Sequence, residues 1–217
     1  MTKPITLYSH ASGPNPWKVA IVLEELGIPY HTKMMEFSEL KKEPFEKINI
    51  NGRVPAIEDP NTGITLWESG AILEYLVDEY DKEGKLSFKS SPEKYEASQW
   101  VYFQASGQGP YFGQAAWFSH FHEEKVPSAV TRYNNEIKRV VRVLDRALEG
   151  KEYLVGGRVS FADLAFLTWQ MILPFAMGDA MFDAAKEYPN YHAWNERLMA
   201  RPAVKKVVED KQKATGK

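Results

Sequence analysis

The feature that most constrains the fold is a change in hydrophobic periodicity near residue 81. Before this point strand-like and helix-like segments alternate, and after it every periodic segment has helical spacing. The stretch 82–92 between the two parts is rich in Lys, Glu, Gly and Ser, which is typical of a linker. Because 217 residues suffice for two small domains, we predict domains at 1–81 and 93–217 joined by the linker 82–92.

The first part is predicted to be a small α/β domain. Gly27 ends a helix that starts near Asn15, and the turn sequence 59–63 joins two short strands into a hairpin. The predicted strands are Ile5–Ser9, Tyr30–Met35, Pro55–Glu58 and Ile64–Trp67, and a second helix covers Glu68–Tyr80. The resulting order, βαβ, a short irregular helix and then ββα, is similar to that of the thioredoxin-like fold.

The second part is predicted to be all-α. Its helical stretches cover 93–122, 127–149, 160–176 and 188–213. Pro202 interrupts the last stretch, because proline ends one helix and opens another. Ser160 and Asp163 precede an apolar run at the spacing of a capping box, with Asp in place of Glu or Gln.

Composition excludes several classes of function. A net charge of -2 gives no electrostatic basis for binding nucleic acid or an anionic membrane surface. The absence of cysteine excludes disulfides, thiolate metal sites and a cysteine nucleophile, so any sulfur chemistry needs a bound molecule. His120 and His122 point to different helix faces, and we expect no metal. No spanning helix or signal peptide is expected, and the expected location is the cytoplasm.

Asn15 is the first candidate functional residue. It lies where the first strand passes into the first helix, and helix N-termini favour anions. Its amide N–H cannot remove a proton, but it can stabilise a thiolate once one forms. Lowering a thiol pKa by about two units requires only roughly 2.7 kcal/mol. The alternative is that Asn15 is simply the N-cap of the helix, a position that Asn favours.

Two further candidate sites follow in the same domain. If the Val54–Pro55 bond is cis, the Val54 backbone can pair with an extended peptide as an added strand, whereas a trans proline would merely open a strand. Ser69 at a helix start suits a carboxylate and Glu68 suits an ammonium group, although both residues could also be ordinary caps. Together the three sites supply a thiolate donor, a peptide-pairing edge and a zwitterion clamp, which match γ-Glu-Cys-Gly.

Over essentially its whole length the chain resembles glutathione transferases, and it is most similar to the fungal nitrogen-regulator (prion) class and the bacterial nu class. The resemblance is carried by the runs 14–19, 53–56, 68–73, 103–107 and 113–115. It implies the glutathione transferase fold: an α/β thioredoxin-like N-terminal domain and an all-α C-terminal domain. The relatives carry Gly where this chain has Pro16, which removes one N–H from the helix start.

The resemblance also implies roles for individual residues. Asn15 would face the glutathione sulfur, Val54 would pair with the cysteinyl backbone beside a cis Pro55, and Glu68 and Ser69 would bind the γ-glutamyl end. Lys41 is predicted to contact the glycyl carboxylate, with Arg53 as the second possibility. The second-substrate pocket lies between the two domains in this family, and its predicted lining residues are Tyr111, Phe112 and Trp117.

The predicted function is conjugation of glutathione, as co-substrate, to a hydrophobic electrophile. One alternative is a glutathione-dependent disulfide or peroxide reductase, in which both sulfurs come from glutathione because the chain has no cysteine. A second alternative is a non-enzymatic regulatory protein that binds a partner through this fold. The family further implies a homodimer.

Overall fold

The computed structural model describes residues 2–216, and these residues form two compact units. Of the described residues, the N-terminal unit contains 2–89 and 200–216, and the helical unit is Ser90–Met199. Each unit has its own core of buried apolar side chains.

A four-stranded mixed sheet forms the centre of the N-terminal unit. Its strands are β1 Ile5–Ser9, β2 Tyr30–Met34, β3 Ala56–Asp59 and β4 Ile64–Trp67, in the order β2-β1-β3-β4. β1 runs parallel to β2 and antiparallel to β3, and β3 and β4 form the predicted hairpin. This arrangement confirms the α/β part of the predicted fold.

The unit's first three helices are α1 Pro14–Leu26, between β1 and β2, α2 Phe45–Ile48, between β2 and β3, and α3 Ser69–Tyr80, which follows β4. α1 packs against α3 and is buried along most of its length. Gly27 ends α1 in the left-handed conformation, with φ 65°, where glycine carries no side-chain penalty. The helix-stop prediction at this residue is therefore confirmed.

The helical unit contains no strand among the residues that the structure describes. It consists of α4 Glu93–Phe103, α5 Gly109–Ala116, α6 Pro127–Ala147, α7 Phe161–Gln170, α8 Leu173–Met177, α9 Ala184–Glu187 and α10 Pro189–Met199. Short π-helical segments, Gln104–Gln108 and Trp117–Phe121, follow α4 and α5, so the chain stays helical from Glu93 to Phe121. This matches the stretch 93–122 predicted from periodicity.

Asp163 carries the predicted capping box at the start of α7. Its Oδ2 accepts hydrogen bonds from the Ser160 N–H at 2.9 Å and the Ser160 hydroxyl at 2.8 Å, and its Oδ1 accepts from Leu154 N–H and Trp194 Nε1. Burial raises the pKa of this carboxyl, and the four donors act in the opposite direction.

The last helix, α11 Pro202–Ala214, packs against α1 and belongs to the N-terminal unit. The predicted boundaries 1–81, 82–92 and 93–217 rest on local periodicity and composition, which carry no information about where a terminal helix packs. Within residues 2–216 no single helix is long and apolar enough to cross a membrane. The pair Phe161–Gln170 and Leu173–Ala180 reaches the length only together, bends by 45°, and has its first helix fully buried.

Candidate functional site

Asn15 lies in the first turn of α1, at the end of the loop that leaves β1. The N-cap is Gly13, with extended backbone (φ -69°, ψ 125°), so Asn15 is not the N-cap that the sequence left open as an alternative. Pro14 and Pro16 have no backbone N–H, and among the first three helical residues only Asn15 therefore has one. A half-buried Asn15 thus combines a side-chain amide with the single early N–H of a helix N-terminus.

Tyr8, the nearest tyrosine before this turn, is engaged elsewhere. Its hydroxyl donates a 2.6 Å hydrogen bond to Glu58 Oε2. Burial, together with this bond and the negative charge of Glu58, raises the pKa of Tyr8 to about 12. A hydroxyl that already donates to a carboxylate is a poor donor to a second anion, so the geometry favours the Asn15 amide over the Tyr8 hydroxyl as a donor to an anion at the helix start.

The Val54–Pro55 peptide bond is cis, as the resemblance implies. Among residues 2–216 no partner hydrogen-bonds to the Val54 backbone, whereas Ala56, two residues on, pairs with both Tyr8 and Trp67. Val54 therefore leaves one N–H and one C=O available next to β3, a strand that pairs with a neighbour on both sides. Such an unpaired backbone is the feature that strand addition by a peptide requires.

The segment that precedes Val54 is held by Asn49, a buried residue that no sequence motif marks as functional. The Asn49 amide donates to Arg53 O at 2.6 Å and accepts from Asn51 N–H at 2.9 Å. Lys41 Nζ donates to Asn51 O at 2.5 Å, which places the Lys41 ammonium group next to this segment. Arg53 itself is exposed. Both candidate contacts for the glycyl carboxylate are thus cationic and near Val54.

Gly52 makes the approach of Lys41 possible. Its φ is 58°, and a Cβ atom at this position would lie 2.5 Å from Leu40 O and 2.8 Å from the Lys41 Cδ. A backbone oxygen cannot move aside as a flexible side chain can, so only glycine fits here.

Glu68 and Ser69 form the start of α3. Glu68 is the N-cap and the only non-glycine residue with positive φ among residues 2–216, at φ 70° and ψ 111°. Its side chain is exposed, whereas Ser69 is buried. Because Ile72 N–H makes the first bond of the helix, to Glu68 O at 2.9 Å, the N–H groups of residues 69–71 lie ahead of it. Strained backbone that presents an exposed carboxylate beside these donors is typical of a functional site.

Lys18 is a residue that sequence reasoning missed. It lies one turn after Asn15 and is only 1% exposed. Burial lowers the pKa of Lys18 to about 7, while the negative charge of Glu68 acts in the opposite direction. Its position inside an apolar helical run could have drawn attention to it, since the residues around it are all buried. Lys18 therefore couples electrostatically to the proposed ammonium-binding carboxylate.

The three predicted second-substrate residues differ in exposure within the helical unit. Phe112 is 0% exposed and lies in the core of this unit. Tyr111 is half-buried, with Arg139 over its ring at 5.8 Å, and Trp117 is 49% exposed next to Phe121. Tyr111 and Trp117 thus keep surface that could meet a ligand, and their role in a pocket stays a prediction. No group of three or more His, Asp or Glu side chains placed for a metal occurs within residues 2–216.

Two family models match most of the chain. The glutathione S-transferase N-terminal domain matches residues 3–78, and the glutathione S-transferase C-terminal domain matches residues 110–202. The first match contains Asn15, Lys41, Val54 and Glu68, and therefore covers the site described above.

The chain is also similar to individual proteins. Glutathione S-transferase 2 of Schizosaccharomyces pombe is 48% identical over 222 residues, which cover 96% of each chain. The glutathione transferase URE2P8 from Phanerochaete chrysosporium with oxidized glutathione has a TM-score of 0.95 at 41% identity, covering 100% of this chain and 99% of that one. Ure2p5 from the same organism, cocrystallized with 1-(S-glutathionyl)-2,4-dinitrobenzene, has a TM-score of 0.91 at 39% identity, covering 100% and 98%.

Proposed function

Because the chain belongs to the glutathione S-transferase family, we propose that it binds glutathione in its N-terminal unit and conjugates the glutathione sulfur to an electrophilic carbon. In this proposal Asn15 stabilises the bound sulfur as a thiolate. The fungal relatives described above support the proposal, since one was crystallised with a glutathione conjugate of dinitrobenzene.

The observation that carries the proposal is the unpaired backbone of Val54. An extended cysteinyl residue pairing with its N–H and C=O would gain two backbone hydrogen bonds, each worth about 1 kcal/mol. Such pairing fixes the direction of a peptide along the edge, so the two ends of glutathione reach different groups. The position of the cysteinyl residue at Val54 therefore determines which side chains meet the γ-glutamyl and glycyl ends.

The other residues suit the remaining parts of glutathione. The γ-glutamyl carboxylate would accept from the Ser69 hydroxyl and the first N–H groups of α3, and its ammonium group would face Glu68. Lys41, with Arg53 as the second possibility, would bind the glycyl carboxylate. The sulfur would then face the amide of Asn15 at the start of α1.

The chemical step needs no group that the chain lacks. The thiol loses its proton to solvent, and Asn15 N–H groups stabilise the resulting thiolate without accepting the proton. The thiolate forms a carbon–sulfur bond with the electrophile, and a leaving group such as chloride departs with the bonding electrons. The protein contributes a lowered thiol pKa and a fixed sulfur position.

Turnover of 1-chloro-2,4-dinitrobenzene tests this function. We expect conjugation by the wild-type protein, and we expect Asn15→Ala to lose at least about tenfold in kcat/KM at neutral pH and less at high pH, where glutathione ionises unaided. Asn135→Ala, an exposed asparagine of the helical unit, is the control and should match the wild type. An equal loss by Asn15→Ala at both pH values would contradict the thiolate role.

A second candidate function is reduction of disulfides by glutathione. The structural neighbour with oxidized glutathione favours this function, because a site that binds a glutathione disulfide has room for a mixed disulfide of glutathione as substrate. The chain has no cysteine, so glutathione would supply both attacking sulfurs. Comparing turnover of a small mixed disulfide with that of the chloroarene separates the two activities.

We also propose that the protein is cytoplasmic and that it is a homodimer, the latter as the family resemblance implies. Sedimentation velocity of the purified chain should give a species of twice the chain mass, and a single species of one chain mass would contradict this assembly.

A further inference from the structure

His10, the first residue after β1, has a buried side chain that the proposed function does not use. His10 is 8% exposed, and the Phe37 ring stacks on its imidazole with centroids 3.8 Å apart and an interplanar angle of 29°. Phe37 itself is exposed, so its ring lies between one face of the imidazole and solvent. Burying an imidazole costs free energy unless its polar atoms are used.

The Nδ1 atom of His10 is used as an acceptor. The Ser12 backbone N–H donates to it at 3.2 Å, and the Ser12 hydroxyl lies 3.1 Å away. A backbone N–H can only donate, so Nδ1 carries a lone pair and the ring proton of the neutral imidazole is on Nε2. The Ser12 hydroxyl can then also donate to Nδ1.

The turn between β1 and α1 is anchored mainly through His10. The Gly13 N–H donates to His10 O at 3.3 Å, which adds a second bond to the one from Ser12. Trp17 Nε1, from the first turns of α1, donates to Ala11 O at 2.9 Å. Gly13 is the N-cap of α1, and Asn15 follows two residues later. The conformation of this turn therefore sets where Asn15 lies.

The charged groups around His10 are Glu36, which follows β2, and Lys211 of α11. Burial lowers the pKa of His10 below its usual value, Lys211 lowers it further, and Glu36 acts in the opposite direction. The neutral ring required by the Ser12 contact is thus favoured at neutral pH.

We propose that neutral His10 is a positioning residue for Asn15, because its Nδ1 anchors the Ser12 N–H and thereby the turn that leads into the first turn of α1. This inference rests on the proposed function. Protonation of His10 places a hydrogen on Nδ1, so that two donors face each other and the Ser12 N–H loses its partner. The anchor is therefore present above the pKa of His10 and lost below it.

Two substitutions separate the acceptor from the ring. In His10→Asn the amide oxygen takes the place of Nδ1 and cannot be protonated, whereas His10→Leu has no acceptor. Near pH 7.5, a value chosen as roughly one unit above the ordinary pKa of histidine, we expect His10→Leu to lose about tenfold in kcat, the worth of one hydrogen bond. The KM for glutathione should change by less than about twofold, since Val54, Glu68 and Ser69 are untouched. His10→Asn should restore most of the kcat.

The pH dependence distinguishes positioning from a purely structural role. The ratio of kcat/KM for wild type to that for His10→Asn cancels the titration of the thiol itself. We expect this ratio to be constant above about pH 7 and to fall below the pKa of His10. Ser12→Ala keeps the backbone donor and should keep this step, and His31→Asn, an exposed histidine of β2, should reproduce the wild-type profile.

Three results would overturn the inference: equal kcat for His10→Leu and wild type, no rescue by His10→Asn, or loss of the pH step in Ser12→Ala. If His10→Leu does not fold, the ring nitrogen shifts of wild-type His10 decide, since an Nδ1–H tautomer at neutral pH would be incompatible with the anchor. Absence of any wild-type conjugation would instead refute the proposed function and this inference with it.

Discussion

Asn15 stands between two prolines, and this makes the start of α1 unusually poor in donors. A helix normally offers several free N–H groups to an anion, but Pro14 and Pro16 supply none. Stabilisation of a thiolate therefore depends more on the Asn15 side chain than it would at an ordinary helix N-terminus.

Pro16→Ala should restore one donor while keeping a Cβ at the position. We expect the pKa of bound glutathione thiol to fall by roughly 0.2–0.7 units, which corresponds to the 0.3–1 kcal/mol of a helix-terminal charge interaction. The thiolate absorbance of the complex, titrated against pH, measures this shift. An unchanged thiol pKa would mean that the sulfur does not face the helix N-terminus.

Glu68 combines a strained backbone with a proposed ligand carboxylate, and two substitutions separate these properties. Glu68→Gln keeps the Cβ at φ 70°, whereas Glu68→Gly removes it. We expect the free energy of unfolding of the Gly variant to exceed that of the Gln variant by about 1 kcal/mol, since the relief of strain exceeds the entropy cost of glycine.

Both Glu68 variants should bind glutathione about tenfold or more weakly, because each lacks the charge that would face the ammonium group. Urea unfolding and calorimetric titration measure the two effects. Equal stability of the variants would remove the case for backbone strain, and unchanged affinity would remove Glu68 from the site.

Lys18 should make stability depend on pH. Its pKa is about 7 in the folded chain and 10.5 ordinarily, so the unfolded chain binds more protons between these values. The free energy of unfolding contributed by Lys18 therefore rises with pH across this window. Lys18→Met should flatten the rise of the urea midpoint between about pH 7 and 9, and Lys125→Met, at an exposed lysine, should not. Parallel profiles for Lys18→Met and wild type would contradict the buried, low-pKa lysine.

At the scale of elements, α11 is fastened to α1 by one largely buried ion pair. Arg201 donates to both carboxylate oxygens of Glu25, at 2.6 and 2.8 Å, and the Glu25 side chain is only 5% exposed. Lys85 adds a hydrogen bond to the Glu25 backbone carbonyl. A second pair between the same helices, Lys206 with Glu24, has a lysine that is mostly exposed.

The two pairs should differ in their effect on stability. Arg201→Ala removes two close donors of the Glu25 carboxylate and leaves it the Lys85 ammonium, 3.7 Å from Oε2. The loss should be about 2 kcal/mol or more, because the buried carboxylate is then poorly compensated. Lys206→Ala removes the pair with Glu24, in which the lysine is mostly exposed, and should cost under about 1 kcal/mol. Chemical unfolding of both variants measures the difference, and equal losses would show that burial of Glu25 does not matter.

Local sequence signals predicted the helices, strands and turns well. They did not predict contacts between elements that are distant in the chain. The turn sequence 59–63 predicted the β3–β4 hairpin, and Ser160 with Asp163 predicted the capping box of α7. The turn and the capping box each involve only a few consecutive residues, so both can be recognised in a single sequence. The union of α11 with the N-terminal unit depends on Glu25 and Arg201, which are 176 residues apart, and no local pattern reveals such a pair.

The same limit applies to the site. The motifs around Asn15, Val54 and Glu68 were recognisable because each lies within one short run. His10 and Lys18 were missed, because their significance comes from burial and from neighbours on other elements, such as Phe37 and Glu68.

At the scale of the whole molecule, the central claim is that this chain binds glutathione and ionises it at Asn15. The unpaired backbone of Val54 precedes β3, in the same unit as the first turns of α1 and α3, which contain Asn15 and Ser69. Conjugation and disulfide reduction both require this ionised sulfur. Ionisation of bound glutathione therefore has to be tested before the two activities are compared.

Titration of glutathione bound to the purified protein, followed by thiolate absorbance in the ultraviolet against pH, tests this claim most directly. We predict a bound thiolate at a pH about two units below the ordinary thiol pKa of about 8.5 for wild type and Asn135→Ala, and its loss in Asn15→Ala. Glutathione that binds without ionising, or a thiolate that persists in Asn15→Ala, would contradict the account.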